Sequence, residues 1–512
     1  MNKSNYNSQR IAKNTLFMYI RMIFTILIGF YTSRLILQNL GINDYGIYNV
    51  IGGTVTLFTF LNTAMGQATQ RFLAFELGKN NPIRLKHMFS MCLNVHILIA
   101  IIIIILAEII SIWLLYNKLT IPIEKQNTAF WVLQASIIAS VISITQVPYN
   151  AAIYAHEKLN IYAIITIIDA TLKLFIAISL SWIDGNRLLY YGFGILGVII
   201  ITACLFRFYC TLNFKECKYH FYWNKEIFKT MTSYTSWSLI GNFAGMTADQ
   251  GINILLNIFF GPGVNAARGI AVQIKTAIAS FVYNFQGASI PQIIKLYANN
   301  EIEKMNNLVF KSSKLSFFLF FFIMCPVILE LRQLLLLWLG QIPNFLIEFS
   351  TIILFTILIQ SIGGTLQSII QATGKIKKYQ LTVGLLNLSI FPISYIILKN
   401  GGTPTHPFII TLAINAIVII INLYNVWNLI KFPVKQYLKQ VIKVDSLIFC
   451  IGFPIPYLFT LTMNENIIRC VFTFIISFIW NGIIILFIGL NKNERIWVIN
   501  MISNRFKANP TK

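Results

Sequence analysis

The sequence predicts an all-α membrane protein that crosses the bilayer about fourteen times. Of its 512 residues, 56% are hydrophobic and only 11% are charged, whereas a soluble domain carries about 25% charged residues. Apolar runs of 18 or more residues recur along the chain, which is the length that a transmembrane helix requires. Lys and Arg are concentrated in the short segments between these runs, as the loops of a polytopic membrane protein require.

Each predicted span is an apolar run that a short polar or glycine-containing segment separates from the next. The first two spans are separated by a turn, Asn39 to Gly46, and a longer basic segment precedes the seventh. In order, the predicted spans are 14–37, 47–70, 88–115, 128–150, 161–182, 188–210, 232–259, 265–290, 310–336, 345–371, 379–399, 407–429, 444–462 and 467–489.

The charge distribution predicts the orientation of the chain. With Met1 in the cytoplasm, 29 of the 40 Lys and Arg lie on the cytoplasmic side, eight lie outside and three lie within spans. The positive-inside rule therefore favours cytoplasmic termini and excludes nucleic acid as the reason for the net charge of +23. The basic start, Met1 to Lys13, has no small-residue cleavage site after it, so we expect the first helix to remain as an anchor.

An internal repeat predicts two lobes. Gly41 matches Gly261 at a shift of 220, and Gly66 matches Gly287 at a shift of 221. Six helices return the chain to its starting side, so two six-helix halves are related by a parallel pseudo-two-fold axis along the membrane normal. The predicted domains are an N-lobe at 1–212, a basic linker at 213–231, a C-lobe at 232–430, and two extra helices with a basic tail at 431–512.

Four spans carry a line of polar side chains on an otherwise apolar helix, and the repeat pairs them. Because such a line must face protein or water within the membrane, we predict that spans one, two, seven and eight line a cavity. The predicted cavity-lining polar residues are Thr25, Thr56, Thr63, Gln67, Asn242, Asn253 and Gln286, and the charged residues on these lines are Arg21, Asp249, Arg268 and Lys275.

The turn after the first span resembles a known family. Leu40-Gly41-x-x-Asp44-Tyr45-Gly46-Ile47-Tyr48, after a span that contains Arg21, is similar to the opening of Wzx-type flippases of O-antigen and lipid-linked oligosaccharides, in the MATE-like MOP superfamily. The span count, the two lobes, the basic linker and the two extra C-terminal helices extend the resemblance over the whole chain.

The resemblance implies a function and a location. Such a transporter lies in the bacterial inner membrane and moves an undecaprenyl-pyrophosphate-linked oligosaccharide outward by alternating access, for O-antigen, lipopolysaccharide, capsule or exopolysaccharide biosynthesis. Its cavity is often cationic. The implied partners are the lipid-linked substrate, membrane lipids, a proton or Na⁺ as coupling ion and other polysaccharide-assembly proteins, with no cofactor.

Arg21, Arg268 and Lys275 are the candidate substrate-binding residues. An Arg or Lys near a helix centre costs roughly 2.5–3.5 kcal/mol on insertion scales, so it persists when it faces water, a partner or a ligand. A diphosphate requires cations, and Arg offers it a bidentate fork. The alternative for Arg21 is that it snorkels to the cytoplasmic headgroups.

Two acids within spans have a structural alternative. Asp249 is the candidate for carrying the coupling proton or Na⁺, or it forms a structural ion pair with Lys275 or Arg21. Asp169 and Lys173 stand four residues apart, acid first, and we expect them to neutralise each other.

Other functions remain as alternatives. A MATE-type exporter of cationic drugs should have an acidic cavity, whereas the polar lines hold three cations against Asp249. A membrane-embedded glycan polymerase or glycosyltransferase usually has a sizeable catalytic loop, and the sequence shows neither that loop nor a catalytic triad. The seven cysteines form no CxxC pair, and no HExxH motif is present, so we expect a non-enzyme without a metal site.

Overall fold

The structure is a computed structural model in which helices make up nearly all of the described chain. It describes residues 3–59, 65–66, 69–70, 72–73, 76–77, 81–156, 158–373, 375–491 and 494–495. The predicted cavity residues Thr63 and Gln67 lie outside this part of the chain. The all-α prediction is confirmed.

Fourteen helical segments follow one another along the described chain. They are α1 (Lys3–Thr56), α2 (Pro82–Asn117), α3 (Ile123–Ala155), α4 (Leu159–Ser179), α5 (Arg187–Asn213), α6 (Lys225–Phe260), α7 (Pro262–Ala298), α8 (Ile302–Leu329), α9 (Leu331–Leu339), α10 (Leu346–Thr373), α11 (Ile376–Lys399), α12 (His406–Ile430), α13 (Val434–Thr460) and α14 (Ile467–Gly489).

Eleven helices of the described chain are long and apolar enough to cross a membrane. One of them, Arg21–Thr56, contains 21–37 of the first predicted span and 47–56 of the second, and Gly41 separates the two with φ 78° and ψ 172°. The long helices α6 and α7 carry predicted polar lines and are not among the eleven. A count of about fourteen spans is therefore compatible with the structure.

Asparagine side chains fix the first residue of several helices. Asn81 accepts a hydrogen bond from the Arg84 amide at 3.0 Å, and Pro82 follows it at the first helical position. Asn224 accepts from two amides at the start of α6. These caps satisfy amides that have no partner within their own helix, so the local sequence determines where these helices begin.

The two glycines matched in the predicted repeat share an unusual backbone conformation. Gly41 has φ 78°, and its repeat partner Gly261 has φ 81°, a region that L-residues rarely adopt. Gly261 ends α6, and α7 starts at Pro262. Glycine at both positions therefore allows one sharp change of direction in each half of the chain.

The chain forms two compact units. The first unit comprises Met1–Ile270, Pro343–Leu346 and Val383–Pro407, and the second comprises Ala271–Ile342, Ile347–Thr382 and Phe408–Lys512. Helices α7 and α11 each contribute to both units. The predicted lobe boundaries at 212 and 232 stay a prediction.

Helix packing builds the core of the first unit. Helix α3 packs on α5 and α2, and α1 packs on α4. Gly192 faces the side chain of Val132 and Gly194 faces Ile176, so these glycines bring α5 close to its neighbours. The predicted pair of Asp169 and Lys173 is confirmed, with Nζ and Oδ2 2.7 Å apart.

The first half of the predicted linker is docked on the first unit. Asn94 of α2 donates to the carbonyl of Tyr222 at 2.8 Å, and the Ser90 hydroxyl bonds Nδ1 of His220 at 2.9 Å. Nε2 of His156 lies 2.5 Å from Oε1 of Glu216. These contacts attach residues 216–222 to the ends of α2 and α3.

Buried charges connect helices of the second unit. The carboxylate of Glu330 accepts two hydrogen bonds from the Arg469 guanidinium, each 3.0 Å long, and a third from Thr473 at 2.7 Å. Arg469 and Thr473 belong to α14, whereas Glu330 stands between α8 and α9. This ion pair therefore fixes α14 against the end of α8.

Candidate functional site

A layer of polar side chains runs between α6, the first turns of α7 and the part of α1 that follows Gly41. All of its members lie in the first unit. The positions arise from the helical turn, because Asp249, Asn253 and Asn257 are four residues apart and so share one face of α6. This face is the polar line that the sequence predicts.

The charged centre of this layer is the pair of Asp249 and Arg268. Nη2 of Arg268 lies 3.0 Å from Oδ1 of Asp249 and donates to the main-chain oxygen of the same residue at 2.6 Å. Gln250 donates to the second carboxylate oxygen at 3.0 Å. Arg268 is 5% exposed, whereas 40% of the Asp249 side chain is exposed, so the pair reaches the surface through its carboxylate.

A buried asparagine network continues the layer. Asn265 donates through Nδ2 to the carbonyl and to the side-chain oxygen of Asn253, at 2.6 and 2.8 Å. Asn253 donates to the carbonyl of Asn49 at 3.1 Å, and Asn257 accepts from the amide of Thr120 at 2.8 Å. Because these amides are almost completely buried, their hydrogen bonds fix α6 against α1 and α7.

Glycines allow this close approach. A methyl group at Gly46 would overlap the carbonyl of Pro262, and one at Gly53 would overlap the side-chain amide of Asn253. The resemblance motif thus has a structural role, since its Gly46 permits the contact between α1 and α7. Another motif residue, Asp44, forms an ion pair with Lys125 at 3.0 Å.

Arg21 belongs to a different cluster in the first unit. Its guanidinium lies 5.4 Å from the ring centre of Tyr162, and that ring lies 5.0 Å from the ring of Tyr154. Within the described part of the chain, Nε of Arg21 is buried without a hydrogen-bond partner. A cation–π contact stabilises the charge, whereas the buried Nε donor gains nothing from it.

Lys275 and Gln286 lie in the second unit, on α7. Lys275 is half-buried, and no ion pair to it occurs among the described residues. Gln286 is buried and donates to the carbonyl of Ser361 at 2.7 Å, where Gly364 leaves room for the amide. Gln286 thus holds α7 against α10.

The remaining predicted cavity residues are less constrained. Thr25 is half-buried and bonds the carbonyls of Arg21 and Met22 within its own helix. Thr56 is exposed and bonds the carbonyl of Gly53, and Asn242 is half-buried.

The predicted structural partner of Asp249 was wrong. The sequence predicts, as the structural alternative for this carboxylate, an ion pair with Lys275 or Arg21, whereas the structure pairs it with Arg268. The glycine turn at Gly261 brings the first turns of α7 back alongside the end of α6, whereas Arg21 contacts Tyr162 instead. Helical periodicity within one span carries no information on this pairing.

Sequence reasoning missed several ionisable residues that lie inside the helical bundle, among them Arg207 and Asp445. Nη2 of Arg207 donates to the Thr145 hydroxyl at 2.6 Å, and its guanidinium lies 5.8 Å from the Tyr149 ring centre. Asp445 of α13 is 1% exposed. The described residues contain no cluster of His, Cys, Asp or Glu that would hold a metal ion.

No protein-family model matches the sequence, and no curated protein matches it either. Solved structures do match its fold. The inward closed conformation of the lipid II flippase MurJ matches with a TM-score of 0.70 and 15% identity, covering 92% of this chain and 98% of that one.

Two further solved structures match the fold of this chain. The inward-facing conformation of a MATE multidrug resistance transporter of the MOP superfamily matches with a TM-score of 0.64 and 14% identity, over 81% of this chain and 96% of that one. A MOP-superfamily transporter from Pyrococcus furiosus matches with a TM-score of 0.56 and 14% identity, over 81% of this chain and 93% of that one. The protein therefore has the fold of the MOP-superfamily transporters.

Proposed function

We propose that the protein is a Wzx-type flippase. It moves an undecaprenyl-pyrophosphate-linked oligosaccharide from the cytoplasmic to the periplasmic leaflet of a bacterial inner membrane, by alternating access and with ion coupling, in O-antigen, capsule or exopolysaccharide biosynthesis. The similarity of fold to the lipid II flippase and to MATE transporters supports a transporter. The charges on the predicted polar lines support this substrate class.

One observation carries the choice of substrate. Arg21, Arg268 and Lys275 are three cations on the predicted lines, and the one acid there, Asp249, already forms an ion pair with Arg268. The surplus of positive charge suits a diphosphate, because each charge-assisted hydrogen bond to it contributes roughly 1.5–3 kcal/mol. A carrier of organic cations would require the opposite sign.

The chemistry of the two guanidinium groups gives each a separate role. Arg21 has a buried Nε without a partner in the described chain, so it binds a phosphate oxygen without breaking an existing hydrogen bond. Arg268 must share its guanidinium with Asp249, which makes its contact with substrate dependent on the state of that carboxylate. Protonation of Asp249 would weaken the pair and release Arg268 toward the diphosphate.

A second candidate is a MATE-type antiporter of cationic compounds. The observation that favours it is the exposure of Asp249, since 40% of this side chain remains accessible beside the buried Arg268. Under this function Asp249 would bind the cationic compound directly. The neutral Asp249→Asn variant would then lose drug resistance and leave glycan export unchanged.

The test uses a deletion strain complemented with single variants, with glycan export measured and membrane abundance checked by blot. Arg21→Ala and Lys275→Ala should each abolish or sharply reduce export. Arg21→Lys should retain part of the export, because Lys keeps the positive charge but cannot form the bidentate hydrogen bonds of a guanidinium. Arg332→Ala is the matched control, since Arg332 is an exposed arginine away from the polar lines.

The double variant decides the proposal. Wild-type export by a well-inserted Arg21→Ala/Lys275→Ala protein would show that these cations do not bind the headgroup of the substrate. Loss of export in the double variant with full export in Arg332→Ala would support it.

A further inference from the structure

Helix α13 contains a buried carboxyl group without a partner. Asp445 is 1% exposed, and neither of its oxygens has a hydrogen-bond partner among the residues that the structure describes. An ionised carboxylate that is buried without a hydrogen bond or a cation in contact is strongly disfavoured. The neutral acid is the form that this environment tolerates.

A buried cation interacts electrostatically with Asp445 but is bound elsewhere. Lys314 of α8 is 5% exposed, and its Nζ lies 3.0 Å from Oε2 of Glu494. The amide of Asn491 donates to the same Glu494 oxygen at 3.0 Å. The ammonium and the carboxylate of this pair cancel, so an ionised Asp445 would leave the group with an uncompensated negative charge.

The other ionisable groups around this cluster do not supply the missing charge. The hydroxyl of Tyr437 lies near Asp445 but donates to the carbonyl of Ile362 at 2.8 Å, and it lies 3.1 Å from the Ser313 hydroxyl. Lys311 and Lys439 line a cavity of about 250 Å³ that also borders Lys314. Both of these lysines are exposed, so water stabilises their ammonium groups.

We propose that Asp445 is a proton-binding site whose occupancy controls the ion pair of Lys314 and Glu494. With the proton bound, Asp445 is neutral and Lys314 holds Glu494. When the proton leaves an Asp445 oxygen for water in the cavity, Lys314 breaks its contact with Glu494 and pairs with the new carboxylate. The segment that carries Glu494 is then released from α8.

A proton suits the site better than a metal cation. The ammonium of Lys314 repels a second cation, whereas a proton bound to Asp445 produces a neutral acid. A hard cation such as Na⁺ or Ca²⁺ also takes several oxygen ligands, and the described residues form no cluster of acids. The cavity is lined by Val444, the neighbour of Asp445, so water entering it would be the nearest acceptor for the proton.

The first test is infrared difference spectroscopy of the purified protein during a pH titration, which does not depend on the transported substrate. Wild type should show the carbonyl band of a protonated carboxylic acid, and the band should disappear as the pH rises. Asp445→Asn should lack this band, and Asp445→Glu should restore a carboxyl band. Asp249→Asn is the control and should retain it, because that carboxylate is ion-paired and partly exposed.

An unchanged band in Asp445→Asn would overturn the proposal. If Asp445→Asn does not fold, Asp445→Glu provides the test. A carboxyl band that stays at its wild-type frequency in Asp445→Glu would show that Asp445 is not the source of the band.

The second test follows the released segment. A spin label at Asn491→Cys, in a protein with the exposed Cys204 and Cys450 changed to Ser, should gain mobility as the pH rises. In the Asp445→Asn background the mobility should stay low at every pH, since Lys314 has no second carboxylate to bind. Equal pH dependence in both backgrounds would contradict the proposed transfer of Lys314.

Discussion

Three acids within the helical bundle of this protein form ion pairs. Asp249 pairs with Arg268, Asp169 with Lys173 and Glu330 with Arg469. An isolated charge in the membrane costs several kcal/mol, whereas local pairing reduces that cost and positions the helices. Neither oxygen of Asp445 has a hydrogen-bond partner among the described residues, which is why we assign it a proton.

The pair of Glu330 and Arg469 gives a stability prediction. Arg469→Ala leaves the fully buried Glu330 carboxylate without its cation, and loss of one partner of such a pair costs about 3–5 kcal/mol. We expect a decrease of this size in the free energy of unfolding, measured by equilibrium unfolding in mixed micelles.

The matched control is Arg332→Ala. Arg332 also pairs with a glutamate, Glu465 at 3.2 Å, but 63% of its side chain is exposed. Exposed pairs contribute less than about 1 kcal/mol, so this variant should unfold almost like the wild type. Equal losses in the two variants would show that burial does not set the strength of these pairs.

Sequence distance explains which contacts could be predicted. The pair of Asp169 and Lys173 follows from i,i+4 spacing in one helix and was predicted correctly. The partner of Asp249 depends on how α6 and α7 pack, and the spacing of polar residues within each helix does not contain that information. Polar lines therefore predict faces of helices, whereas contacts between helices require the structure.

At the scale of elements, two glycine turns give both halves of the chain the same local geometry. Gly41 and Gly261 were matched from the repeat and share a positive φ. The contact between α1 and α7 then depends on Gly46, which faces the rigid backbone of Pro262. The repeat thus predicts the turns, and the structure adds the close contact beside them.

Gly46→Ala should disrupt this contact. Its added methyl group would overlap the Pro262 carbonyl, and overpacking of this kind costs about 1–3 kcal/mol. Gly52→Ala, on the same helix, would place its methyl group in open space and should stabilise the helix by about 0.4–1 kcal/mol. Thermal unfolding of both proteins provides the comparison, and a stable Gly46→Ala would show that the helices separate easily here.

Docking of the linker depends on pH through two groups outside the spans. Burial lowers the pKa of His220 from its ordinary value of 6.5, and Lys86 and His87 lower it further. Burial raises the pKa of Glu216, but the hydrogen bond from His156, a backbone hydrogen bond and the charge of His156 together outweigh burial, so the pKa is lowered from its ordinary value of 4.5. The undocked linker therefore binds protons more readily than the docked one, so docking weakens as the pH falls.

We expect the linker to loosen in two steps during acidification. The His220 contribution is present above pH 6.5 and decreases below it, and the Glu216 contribution decreases below pH 4.5. Fluorescence anisotropy of a dye at Lys218→Cys, with Cys204 and Cys450 changed to Ser, should fall in both ranges.

His220→Gln is the control for this titration. Gln cannot titrate, so this variant should lose the first step and retain the second. A first step that survives the substitution would assign it to another group.

At the scale of the whole molecule, the hydropathy and charge of the sequence predict fold and orientation. The fold is confirmed by the helices and by the solved MOP-superfamily structures.

The orientation is a prediction that reporter fusions test. Fusions at Tyr219 and Asn299 should report cytoplasm, and those at Lys118 and Gly401 should report the outer side. A reversed result at two of these points would contradict the fourteen-span topology.

The fold and the charges of the whole molecule indicate a chemical class of substrate. They do not indicate a particular glycan. The central claim is that the protein transfers a lipid-linked glycan between leaflets. The most direct measurement is the leaflet distribution of undecaprenyl-linked intermediates in a deletion strain, with and without complementation by the wild-type gene. We predict that the intermediates accumulate on the cytoplasmic face of the deletion strain and decline after complementation. Unchanged intermediates together with new drug sensitivity would contradict the flippase and favour the antiporter.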